Sequence, residues 1–392
     1  MLRAQLQSFT RRRSFIFASL TLLAILCFLA VSRLVTRFGE QEKALARHMY
    51  ALGQSEQAAG QPERALEAYR AALLYDRDNF QYQLSLARAL RDSGRTEEAE
   101  TYLLRLWEAN PQDGAVNLAL GRLAARRGSV EGALHYYHNA IYGIWSANAE
   151  SARNDAEFEL IEFLIKAGAE PQAQAELITL AARHPNDNDE DINMRIAQLF
   201  MQVHDYEHAL TAFQLVWERD RGNAAAVAGA GDAAFALARF RKAESYLRTA
   251  LKLNPNDAHS SDLLQMTNTI LAADPFARGV TEAESVRRIR SAFEIAGARL
   301  ESCAKQKNVD LTNAAVPTGP LVTLRLRWLT MKSPMKNSNF SSDFAGASGS
   351  PMDLVADIEQ ETATACGEPS GMDKALLLMA QGHSSSDIGE NK

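Results

Sequence analysis

Hydrophobic positions fall into three successive patterns along this chain. First comes an unbroken apolar run from Phe15 to Val31, preceded by Arg11, Arg12 and Arg13 and closed by Arg33 and Arg37. At its widest, Ser14 to Ser32, it is about long enough to cross a bilayer as a helix. The middle, from Ala46 to Asp257, places small and bulky apolar residues at fixed phases between short polar breaks such as Asn110-Pro111 and Asn254-Pro255. Proline lacks an N–H and disfavours helix in the residue before it, so these breaks read as helix ends. The last part is less regular. Ser260 to Ala272 predicts a helix, and so does Thr281 to Lys305. In the second, Thr281 and Glu284 form a capping-box pattern ahead of the stripe Val286, Ile289, Phe293, Ala296 and Leu300. Leu321 to Trp328 alternates weakly, as strand or helix. Lys332 to Met352 is rich in Ser, Asn, Gly and Pro and predicts a flexible linker. A helical pair follows over 353–381, broken by a turn at Cys366, with a disordered tail at 382–392.

The middle pattern is a repeat. Ala65, Ala99 and Ala133 stand 34 residues apart, and the same step links Gly53, Ala87 and Gly121, Tyr69, Leu103 and Tyr137, and Ala72, Leu106 and Ala140. Three further units keep the phase: Gly168, Ala173, Leu177 and Pro185; Ala197, Ala209, Phe213 and Val216; Gly231, Ala243, Leu247, Ala250 and Pro255. A period of 34 with small residues at fixed phases resembles the tetratricopeptide repeat, two antiparallel helices per unit that bury their apolar faces only by stacking. The fold class implied is an all-α solenoid of about six helix-turn-helix repeats over 46–273, with a smaller helical region over 274–331. Met49, Gln83, Asn117, Glu157, Asn193 and Val227 stand where the family favours tryptophan. The step from Ala133 to Ala173 is 40, so six extra residues enter around Gly143 to Asn154, lengthening the third unit's second helix or adding a loop.

The resemblance also implies which residues line the concave face. Carried onto this chain, they are Gln81, Leu84, Arg88, Arg91 and Asp92, then Ala115, Leu118, Arg122, Ala125 and Arg126, and later Met194, Gln198, Met201, Ala228, Asp232 and Phe235. Arginine offers a planar fork suited to carboxylates, and methionine adapts to varied apolar partners. A partner segment acidic at one end and apolar at the other is therefore expected. The two-carboxylate clamp of chaperone-binding relatives is not matched, because its lysine and asparagine positions are not reproduced.

Composition narrows the picture. Among 392 residues, 46% are hydrophobic and 23% charged, and Ala, Leu, Glu and Arg dominate the middle, favouring helix. The net charge of −6 argues against general nucleic-acid binding. His204 and His208, four apart, invite a metal, but the phase puts one in a turn and the other in a helix with no third ligand nearby; His135 and His138 flank Tyr136-Tyr137 and face outward. Asp187-Asn188-Asp189-Glu190-Asp191 lacks the glycine and bidentate glutamate of a calcium loop and reads as a solvated helix start. No phosphate loop, nucleophile elbow or HExxH motif is present. No cofactor, metal or small-molecule substrate is expected, and no catalysis.

Two expectations concern topology. The apolar run over 14–32 reads as a single-pass signal-anchor, longer than a secretory h-region of roughly 7–15 residues. It follows a cytoplasmic tail over 1–13 and leads into a linker over 33–45. The arginine triplet orients the bulk of the chain to the exported side. In that compartment Cys303 and Cys366, the cysteines outside the apolar run, are disulfide candidates; in a reducing compartment they would be buried thiols. The function expected is a membrane-held scaffold or assembly factor that binds proteins through its repeat groove. Alternatives are an organelle import or chaperone-type receptor with the array in the cytosol, or an enzyme with a catalytic C-terminal region recruited by its repeats.

Overall fold

The structure is a computed structural model. It describes residues 2–146, 148–184, 189–311, 319–335 and 350–386, with side chains for all of these except 2–21, 24 and 383–386. Among the described residues every regular element is a helix, 17 in all. The chain divides into two compact units, Met1–Ala169 and Glu170–Lys392.

The first unit opens with α1 (Leu2–Ala58). It continues through α2 (Pro62–Tyr75), α3 (Phe80–Asp92), α4 (Thr96–Ala109), α5 (Gly114–Arg126), α6 (Val130–Ile141) and α7 (Ala149–Lys166). The helices pack as successive hairpins, and α3 lies beside α5. Local chemistry sets each boundary. The Asn79 side chain accepts from Tyr82 N–H, Asp113 from Val116 N–H and Ser129 from Gly132 N–H, capping α3, α5 and α6. Within each hairpin the turn holds a glycine at positive φ: Gly60, Gly94 and Gly128, each between 71° and 79°. The next N–H reaches back over the turn, as Arg95 N–H does to Leu90 O, the closure that left-handed C-terminal residues permit.

Packing explains the repeating small residues. A Cβ on Gly53 would stand 2.6 Å from the Tyr69 ring, and one on Gly121 3.0 Å from Tyr137. Glycine therefore faces tyrosine in two of the hairpins. Asn117, fully buried in place of the family's tryptophan, ties down the loop before its helix by donating to Pro111 O at 2.8 Å and Asp113 O at 2.9 Å. The six extra residues leave α6 short. They form a loop in which Ile144 pairs with Asp113 as an isolated bridge and Trp145 lies on Gly114, donating to Ala140 O. The rest lengthens α7 to 18 residues.

The second unit continues with α8 (Glu170–Arg183), α9 (Glu190–Gln202), α10 (Tyr206–Arg219), α11 (Ala224–Ala236), α12 (Phe240–Leu253) and α13 (Ala258–Ala273). Asp189, Asn223 and Asp257 cap α9, α11 and α13. Here the hairpin turns hold His204 and Ala238 at φ 57° and 55° in place of glycine. Then come α14 (Glu282–Gln306), α15 (Pro320–Met335), α16 (Pro351–Cys366) and α17 (Gly371–Ser386). They share one core with Ile270 of α13, centred on Phe293, Leu300, Trp328, Leu354 and Ile358. The Trp328 ring stacks on Phe293 at 5.2 Å and its Nε1 donates to Phe293 O. Cys303 and Cys366 are joined, linking α14 to α16.

Several expectations are corrected. Of the stretch expected as tail, membrane span and linker, over 1–45, residues 2–45 are one continuous helix with the first repeat helix; α1 runs for 57 residues. The single-pass membrane protein is overturned: among the described residues no helix is long and apolar enough to cross a membrane. Of the expected span over 14–32, side chains are described only at 22, 23 and from 25 on. Leu321 to Trp328 is helical, within α15, which runs past the expected linker start to Met335. A capping box at Ser350 and Asp353, ahead of Pro351, starts α16 inside the expected linker. α17 continues to Ser386, beyond the expected end at Gln381. The remainder of the linker, 336–349, and the tail from 387 lie outside the described residues, as do Pro185, Asp187 and Asn188.

Candidate functional site

The four arginines expected in the first unit's groove fall on two neighbouring helices, Arg88 and Arg91 on α3, Arg122 and Arg126 on α5. They are not equivalent. Arg122 is paired bidentately with Glu159 of α7, Nε to Oε2 at 2.7 Å and Nη2 to Oε1 at 2.5 Å, and Tyr137 donates to the same carboxylate. The hydrogen bonds to Glu159 hold the Arg122 guanidinium charged, raising it above the ordinary arginine range. Arg126 donates to Arg91 O and lies 3.8 Å from Asp92. Arg91 donates through Nε to Asp92, which also accepts from Gln57.

Arg88 is the exception. It makes no hydrogen bond and no ion pair among the described residues, and its Nε is buried without a partner. Burial pulls its guanidinium below the ordinary arginine range, and the neighbouring charges of Arg122 and Arg91 pull it further. Tyr50 and Tyr69 lie within electrostatic reach of it. The Tyr69 hydroxyl is pushed up to about 12, chiefly by burial, with Arg88 opposing. Its O–H donates to Gln57, while Tyr50 shares a hydrogen bond with Ser85 and stacks on Tyr82. The result is a half-buried cation near two tyrosines and beside arginines whose own acceptors are already in place.

The remaining groove residues separate clearly. Leu84 and Leu118, expected between the arginines as contact surface, are 1% and 5% exposed, so they are corrected to core. In the second unit Met194 and Met201 on α9 are half-buried, and Gln198 between them is exposed. Asp232 on α11 accepts from His259 at 3.1 Å; burial raises its carboxyl. Phe235 packs against the core of the C-terminal helices, so the chain itself covers it.

The other chemistry-bearing residues have local roles. His204 occupies the hairpin turn and bonds to Tyr206. His208 pairs with Asp205 and stacks on Phe200, and His135 bonds Asn139. Among the described residues no group of three or more metal-ligating side chains converges. Sequence reasoning missed Glu159, Gln57 and Tyr50, the residues that decide which arginine stays open. Glu159 lies one helical turn before the position in phase with Arg122, on the far side of the extra loop, and only the fold brings it across.

Comparison with known proteins agrees with the period. Tetratricopeptide repeat family models match residues 50–114, 84–149 and 200–266. None of the curated proteins matches the chain. Among solved structures, PilF from Pseudomonas aeruginosa is similar over 57% of this chain and 99% of its own, at 16% identity and TM-score 0.39. PilW, described as a type IV pilus biogenesis factor, covers 56% and 98% at 17% identity and TM-score 0.38. YrrB, described as a tetratricopeptide protein with an unusual peptide-binding site, covers 51% and 99% at 18% identity and TM-score 0.37. At these scores what the chain does rests on its own residues. Two matched segments, 50–149 in the first unit and 200–266 in the second, are thus built of tetratricopeptide repeats.

Proposed function

We propose that the chain is a protein-binding scaffold whose first unit captures a partner segment through a carboxylate seated on Arg88. Tetratricopeptide repeats imply protein–protein interaction or scaffolding, and the observation that carries the finer reading is the unpartnered guanidinium of Arg88. Natural proteins rarely leave a buried donor of a cation without an acceptor, as the Nε of Arg88 is, because desolvation without compensation is expensive. The flanking arginines add positive potential while being held in place, so an incoming carboxylate meets a preorganised site rather than a mobile one. Met194 and Met201 give the second unit an adaptable apolar surface of its own. Assembly-factor work follows from this reading where two proteins are brought together on one chain.

The test is fluorescence anisotropy on the full chain. End-blocked peptides pairing a Glu/Asp cluster with Leu/Met residues are compared with the same peptides carrying Gln/Asn. The acidic peptides should bind at least tenfold more tightly, the scale of a charge-assisted hydrogen-bonded pair worth roughly 1.5–3 kcal/mol. Arg88→Met should erase that preference. Equal binding of acidic and amide peptides, or an unchanged preference in Arg88→Met, would remove Arg88 from the site.

A further inference from the structure

Helix α17 is held differently from the helices around it. The Cys303–Cys366 disulfide fixes α14 and α16 as one stapled body. The chain then passes through Gly367 at φ 92°, Glu368, Pro369 and Ser370 to Gly371 at φ 58°, a short hinge with a left-handed glycine at each end. Beyond it α17 has no covalent tie. It buries Ala375, Leu376 and Met379. Near its start, Met372 and Leu376 line a recess of about 240 Å³ with Ala272 and Ala273 of α13. Farther along, Gly382 lies so close to Ala238 that a Cβ there would come within 2.6 Å. So α17 crosses α13 and reaches the turn between α11 and α12. Phe235 and Phe240, in edge contact at 5.5 Å, pack against the core it helps to form.

Glu359 of α16 sits at this seat. It is fully buried, and neither carboxyl oxygen has a partner. Asp373 of α17 and Arg299 of α14 lie within electrostatic reach of it. From α15, the other helix packed on α16, Arg327 is committed to Asp357. Arg299 is itself anchored to the hinge, donating to Gly367 O at 2.9 Å. Two carboxyl groups and one guanidinium thus act on one another where α14, α16 and α17 pack together.

We propose that α17 is a releasable cover over the Phe235–Phe240 end of the second unit's repeats, and that loss of the Glu359 proton releases it. With α17 seated the carboxyl is enclosed and neutral; with α17 away it is hydrated and ionises freely. Burial first, then the Asp373 charge, pushes Glu359 up to about 8, with Arg299 opposing; burial raises Asp373 as well. An exposed glutamate titrates near 4.3 or so. The raised group therefore stabilises the seated form fully only at low pH, and that contribution is lost as pH rises from about 4.5 through about 8. One proton released per opening makes the opening constant grow roughly tenfold per pH unit in that window.

Hydrogen exchange on the full chain, corrected for intrinsic exchange rates at each pH, tests this without any partner. Amides of α17 should lose protection about tenfold per pH unit between pH 5.5 and 7.5 and level off above about 8, while α14 and α16 stay protected. Glu359→Gln, nearly isosteric and unable to ionise, should remove the slope. Asp373→Asn should keep it. A flat wild-type profile, the same slope in Glu359→Gln, or α14 and α16 opening together with α17 would overturn the proposal. A slope lost only in Asp373→Asn would overturn it too, by moving the proton to Asp373.

Discussion

Burying a guanidinium without an acceptor costs a fold more than a neutral side chain of similar reach would. Arg88, half-buried, is in that position at its Nε, and the neighbouring charges of Arg91 and Arg122 add to the cost. Arg88→Met keeps an unbranched chain against Tyr50 and Tyr69 and removes the charge. The unbound protein should then be more stable by on the order of 1 kcal/mol. Urea unfolding of the two proteins reads this directly, and a loss of stability in Arg88→Met would mean that an acceptor is present after all. Residues of this kind were only partly legible. The 34-residue step pointed to the small positions, and the resemblance to the repeat family implied the arginines. It could not show that Glu159 is the Arg122 acceptor, because that pair spans 37 residues and the extra loop lies between them. Nor could it show that Leu84 and Leu118 turn inward, since a position assigned to a concave face from phase alone leaves the side chain's burial open.

At the level of elements, the hairpin turns carry the clearest rule. Each turn within a repeat puts one residue in the left-handed region. Gly60, Gly94, Gly128 and Gly168 meet it without a Cβ penalty; His204 and Ala238 do not. A left-handed non-glycine residue costs roughly 1–2 kcal/mol. His204→Gly should therefore stabilise the α9–α10 hairpin by about 1 kcal/mol, less the exposed bond to Tyr206 that it gives up. Thermal unfolding checks the sign, and a lowered Tm would mean the turn is held by that bond rather than strained. The capping residues Asn79 and Asp113, and later Asp189, Asn223 and Asp257, keep the same 34-residue step in the sequence. They are a second readable period, set by the need to satisfy free N–H groups at helix starts. Helix α15 was hard to read for the opposite reason. Its buried residues Leu321, Val322, Leu324 and Trp328 include adjacent and alternate positions, because it is clasped between α14 and α16 rather than laid on one surface.

At the scale of a whole unit, a repeat array is stabilised mainly by contacts between neighbours, so a loss at one place stays near it. The second unit offers a clean test, because its covalent staple lies at one end. Cys303 and Cys366 are 63 residues apart in sequence, and closing a loop of that size restricts the unfolded chain. The chain-entropy account assigns such a bridge about 4 kcal/mol, with real bridges often delivering less. Both sulfurs sit beside well-buried residues, Leu300 and Ala304 on α14 and Thr362 on α16, so a Cys303→Ser, Cys366→Ser protein still has that core to form. What it loses is the constraint on the 336–349 connection, which the staple encloses. Amide protection should then fall by orders of magnitude in α14, α15 and α16, with α17 following because its hinge is anchored at Cys366. The helices α9 and α10, which place no residue in the core shared by the stapled helices, should keep protection within a few-fold. Hydrogen exchange on the oxidised protein and the double variant reads both halves at once. Uniform loss from α9 to α17 would show that the second unit unfolds as one cooperative block rather than as an array with a stapled end.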